Sequence, residues 1–147
     1  MSEQRTLNLA ERRAIAAYQE ETFNGLKAQM IEAVGKDITI DVEWAALALP
    51  DQAERYSRED FWTNIFFVPT VKALSDLGAD AMGKEALQGA LQRIVFTYDE
   101  ATAPSMAYEN GVSFADGTLT INFKPFTNAD YIDDRASAIV KELERKL

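Results

Sequence analysis

Ile38, Ile40, Val42 and Trp44 alternate strictly with Thr39, Asp41 and Glu43, the period-two pattern of a strand with one face buried. Residues 93–99 repeat it, with Ile94, Phe96 and Tyr98 on one side. Residues 112–123, VSFADGTLTINF, predict a hairpin, because Asp116-Gly117 suits a two-residue type I′ turn. That turn sets Ala115 opposite Thr118, Phe114 opposite Leu119, Ser113 opposite Thr120 and Val112 opposite Ile121. The large apolar pairs then share one side and the hydroxyl pair takes the other.

Between these segments the period lengthens to three and four residues. Ile15, Tyr18, Thr22, Leu26, Met30 and Ala33 predict a helix over residues 9–34, opened by an Asn8/Glu11 capping box and stopped at Gly35. Asn24-Gly25 should weaken or kink it. Ser57 and Asp60 predict a second capping box, opening a helix through residues 61–68. Pro69 should kink that helix or begin another running to Leu77, before a stop at Gly78. Residues 82–92 read as a helix with Leu87 and Leu91 inward. A last helix is expected over residues 129–146, capped by Thr127 with Asp130, its stripe made by Ile132, Ala136, Ile139, Leu143 and Leu147.

The order α-β-α-α-β-β-β-α predicts a single α+β domain over residues 1–147: an antiparallel sheet of about four strands with helices packed on one face. The other face would carry Thr39, Asp41, Glu43, Thr97, Asp99, Ser113, Thr120 and Asn122.

Composition narrows the chemistry. The 147 residues are 47% apolar and 27% charged, enough to build an ordinary core. With no Cys and no His, the chain has no thiolate, no disulfide and no imidazole base or ligand. No secretory signal or bilayer-spanning run is visible, so a cytoplasmic protein without membrane contact is expected.

Net charge is −9. Residues 38–60 carry a net of −4 and residues 98–134 a net of −6, against +2 for residues 135–147. No basic stripe serves a phosphate backbone, so direct nucleic-acid binding is not expected. An acidic balance supports solubility, and beyond that it suits a basic protein partner.

Three further patterns bear on function. Residues 78–85 match a phosphate-binding loop except at Glu85, but a helix precedes the glycines where a strand is required. Asp130, Asp133 and Asp134 would share a helical turn, and Asp99 and Glu100 would complete an oxygen cage only if the fold brings them together; acids in a first turn already complement the helix dipole. Phe61, Trp62, Ile65, Phe66, Phe67 and Val68 make one helix apolar nearly all round. That suits a core position; Trp62 and Phe66 would otherwise wall an oligomer interface or a ligand pocket.

The expected function is a non-enzymatic, acidic protein-binding module without cofactor, using Asp41, Glu43, Asp99, Thr120 and Asn122. In size and acidity the chain resembles bacterial immunity and antitoxin proteins, although no motif carries the likeness. An inhibitor of a basic partner is the most specific form of this expectation. The alternatives are a small carboxylate-based metal-dependent enzyme at Asp130, Asp133 and Asp134, and a small-molecule or lipid-binding domain behind Trp62 and Phe66.

Overall fold

The computed structural model describes residues 6–147. Its first helical stretch is continuous: α1 (Leu9–Tyr18), a π-helical turn (Gln19–Phe23) and α2 (Asn24–Val34). The Asn8/Glu11 capping box forms in both directions, at 2.8 and 2.9 Å. The irregularity expected at Asn24-Gly25 falls one turn earlier, as the π-turn that delivers Phe23 into the core.

β1 (Thr39–Val42) follows, then the single turn α3 (Trp44–Leu47) and a 3-10 turn (Ala53–Arg55). Trp44 therefore starts a helical turn instead of continuing the strand. Its ring joins a cluster with Tyr18, Phe23, Trp62 and Phe67, at centroid distances of 5.2 to 6.1 Å. Packing of the half-buried ring into this cluster overrides the local alternation.

The apolar helix is π-helical over Glu59–Phe67 and passes directly into α4 (Val68–Leu77). The expected Ser57/Asp60 capping box does not form: Arg58 is the N-cap, without a side-chain cap, and its guanidinium binds Asp60 at 2.9 Å. Pro69 opens the α-helix, as one of the two alternatives required. A proline ring collides with the carbonyl four residues back, and the wider π-turn ahead of it relieves that crowding. Phe61, Trp62, Ile65, Phe66 and Phe67 all lie at zero exposure, so this helix is the centre of the core.

α5 (Ala81–Ala90) is capped by Asp80, whose carboxylate accepts Gly83 N–H at 2.7 Å. An acidic side chain thus occupies the helix terminus where the loop pattern would need phosphate. A Cβ at Gly83 would come within 1.8 Å of the Leu77 carbonyl, so close packing of α4 against α5 explains that glycine.

β2 (Arg93–Thr97), a 3-10 turn (Tyr108–Gly111), β3 (Val112–Ala115), β4 (Thr118–Asn122) and α6 (Ile132–Lys146) complete the order. The hairpin has the register expected from its turn, with Asp116 at φ 53° and Gly117 at φ 80°.

Among the described residues the fold is mixed helix and sheet with four strands, but the sheet is not antiparallel throughout. Its order is β1-β2-β4-β3; β1 pairs β2 in parallel, β2 pairs β4 in parallel, and only the β3/β4 hairpin is antiparallel. The reason is the connection between β1 and β2. It runs through α3 to α5, a crossover long enough to return the chain to the same end of the sheet.

α6 starts at Ile132, later than the expected residue 129, and the Thr127/Asp130 cap is absent: Tyr131 is the N-cap, without a side-chain bond. Thr127 turns its hydroxyl to the Pro125 carbonyl at 3.3 Å, and Asn128 sits at φ 53°. Arg135, on the first helical turns, pulls this segment inward by donating to the Thr127 and Asn128 carbonyls at 2.5 and 2.6 Å.

Candidate functional site

Ile40, Ile94, Leu119 and Phe114 form one cross-sheet row, and Val42, Phe96, Ile121 and Val112 the next, all packed with the core. Side chains alternate along strands, so residues between these rows point to the other face. There Thr39, Arg93, Thr118 and Ala115 make one row, and Asp41, Val95, Thr120 and Ser113 a second. Thr97 and Asn122 continue it as paired positions at the strand ends. Because β1, β2 and β4 run parallel, their carboxyl ends gather at one border of the sheet. Glu43, Thr97, Asp99 and Asn122 meet there.

The strand-end residues are held by hydrogen bonds. Thr97 donates its hydroxyl to Glu43 Oε1 at 2.5 Å. Asn122 Oδ1 accepts Asp99 N–H at 2.9 Å, and Asn122 Nδ2 donates to Thr102 Oγ1 at 3.0 Å. Asp99 Oδ1 accepts Ala101 N–H at 3.0 Å, closing a local turn. Further in, the Arg93 guanidinium lies against the Asp41 carboxylate. Burial raises the Tyr98 phenol, and Glu100 and Asp99 raise it further, so it stays protonated.

The five residues anticipated for partner contact are thus brought to one surface, Asp41 and Thr120 in one row and Glu43, Asp99 and Asn122 along its border. The pairing of Asp41 with Arg93 was not anticipated. The parity of position 93 with Val95 and Thr97 signals it, but which strand lies beside β1 is a tertiary fact. A proton-transfer carboxylate needs a dry pocket. Here the Asp41 side chain is 40% exposed and Glu43 is exposed, so the arrangement suits hydrogen bonding and charge contact.

The alternative sites are dispersed. Asp130 lies exposed before α6, Asp133 approaches Lys72 Nζ at 3.7 Å, and Asp134 borders an open cleft of about 440 Å³ with Tyr108, Ser137 and Lys141. Among the described residues, no group of three or more acidic side chains is placed to hold a metal ion. Trp62 and Phe66 are wholly buried. Trp62 donates its indole N–H to the Leu47 carbonyl at 3.1 Å and stacks on Tyr56, while Phe66 meets Phe96 of the sheet edge-on. Phe66 thus joins the helix to the sheet, and Trp62 ties it to the segment 44–56, so neither ring lines a surface. Among the described residues no helix is long and apolar enough to cross a membrane.

Comparison with known proteins finds no matching family model, no matching curated protein and no matching solved structure.

Proposed function

We propose that this protein is a non-enzymatic binding module that takes a basic protein partner on the open face of its sheet, in its most specific form an inhibitor of immunity or antitoxin type. The single observation that supports the reading is the border formed by Glu43, Thr97, Asp99 and Asn122, where polar side chains from β1, β2 and β4 are held in place beside the row of Asp41 and Thr120. Preorganised polar groups cost little further ordering on association. Exposed acids steer a basic partner and raise its association rate most at low salt.

The test uses Glu43→Lys combined with Asp99→Lys, leaving the Asp41–Arg93 pair intact. Immobilised wild-type protein should capture a basic protein from extract of the native host, and the double variant should capture it more slowly, with the difference shrinking as salt rises. An unchanged association rate, or no capture above a charge-matched control protein, removes the reading.

A further inference from the structure

The two edges of the sheet are treated differently. On β3, the outward Phe114 N–H donates to Glu142 Oε2 at 3.0 Å, and Lys146 Nζ reaches the Phe114 carbonyl at 3.4 Å. Side chains of α6 therefore occupy the backbone groups through which another strand would pair. On β1, Thr39 N–H and Glu43 N–H bind the Gln92 and Phe96 carbonyls of the β2 side, at 3.1 and 2.9 Å. Alternation then turns the N–H and C=O groups of Ile40 and Val42 outward. Among the described residues these groups have no hydrogen-bond partner.

We infer that the β1 edge accepts an added strand from a basic partner whose residues alternate lysine or arginine with apolar side chains. An added strand would set its side chains beside those of β1, alternately on the two sheet faces. On the open face its neighbours are Thr39, Asp41 and Glu43, with Asp37 beyond; Arg93 already meets Asp41, and Asp37 and Glu43 call for positive charge. On the other face its neighbours are Ile40 and Val42, half-buried against the core, which call for apolar side chains.

A second copy of this chain does not fit. A twofold antiparallel pairing centred on residue 40 sets Asp37 opposite Glu43; centred on 41 it sets Asp41 against itself; centred on 42 it sets Asp41 opposite Glu43. Like charges directly opposite destabilise a strand pair. The inference rests on the reading of the protein as a module for a basic partner, and adds the backbone edge to the charged face.

The experiment titrates isotope-labelled protein with a short capped peptide of alternating lysine and valine, followed by amide resonances. The Ile40 and Val42 amides should shift and exchange more slowly with solvent. A peptide N-methylated at its pairing amides, or one with glutamate in place of lysine, should lose binding. Ile40→Pro removes an outward N–H but no ladder bond, so binding should be lost while β2 and β4 resonances persist. The proposal is overturned by no shift at Ile40 and Val42, by binding that survives N-methylation, or by a wild-type dimer that Ile40→Pro dissolves. Ile40→Pro leaves Glu43 and Asp99 in place, so an edge failure is distinguishable from failure of the charged-face reading.

Discussion

Arg135 is 1% exposed, lies 4.5 Å over the Tyr108 ring and 5.6 Å from that of Phe123, and donates to two loop carbonyls. Burial pulls its pKa down from the usual arginine value, with Tyr108 and Asp134 working the other way. Carbonyl dipoles and aromatic faces surround the charge. Removing the guanidinium leaves the Thr127 and Asn128 carbonyls without these donors. Arg135→Leu should therefore cost about 2–4 kcal/mol in urea unfolding. Arg135→Lys should recover only part of this, because an ammonium cannot reproduce the planar two-donor fork. A loss below about 0.5 kcal/mol would show that the loop holds itself. Nothing in local spacing marks Arg135 as buried, since it stands between acids and the stripe residue Ala136. Its burial follows from where the 3-10 turn carrying Tyr108 packs.

At the scale of elements, the hairpin illustrates agreement between turn chemistry and pattern. Gly117 lies at φ 80°, and a Cβ there would also meet the Gln92 side chain at 3.1 Å and the Ala90 carbonyl at 3.3 Å. Gly117→Val should cost about 1–3 kcal/mol, and an unchanged urea midpoint would remove the strained turn from the account. The β3 edge carries a pH dependence. Burial raises the Glu142 pKa, but hydrogen bonds from Arg145 and from Phe114 N–H outweigh it and hold the carboxyl below its ordinary value. A group with a depressed folded pKa contributes stability above its unfolded value, about 4.3 for Glu, and loses it as pH falls through the folded value. The stability gap between wild type and Glu142→Gln should therefore be present at neutral pH and close on acidification. A gap that stays constant down to about pH 3 would contradict the assignment. Helix starts were the least legible elements. Ser57 and Thr127 have capping chemistry, yet Arg58 pairs with Asp60 and stands 5.7 Å over the Phe126 ring, while Arg135 holds the Thr127 and Asn128 carbonyls.

At the scale of the molecule, a net charge of −9 opposes compaction. The ion pairs Arg58–Asp60, Lys72–Asp133 and Arg93–Asp41 are largely exposed and so contribute little. Raising sodium chloride from about 0.02 to 0.3 M screens both, and repulsion should dominate. The melting temperature should rise by a few degrees. A fall would mean that the pairs outweigh the net charge.

The sequence by itself determined the local facts: the strand alternation within residues 39–42, 93–97, 112–115 and 118–122, the hairpin register, an apolar helical segment about residues 61–68, and which strand positions share a face. These depend on neighbours two to four residues apart or on one turn, so short-range pattern suffices. Only the tertiary structure decided the parallel pairing of β1 with β2 and of β2 with β4, the gathering of Glu43, Asp99 and Asn122 at one border, the burial of Arg135, and the contrast between a capped β3 edge and a β1 edge unpaired among the described residues. Strand order is set by how the intervening helices cross and pack. Parallel and antiparallel neighbours present the same alternation, so no local periodicity distinguishes them.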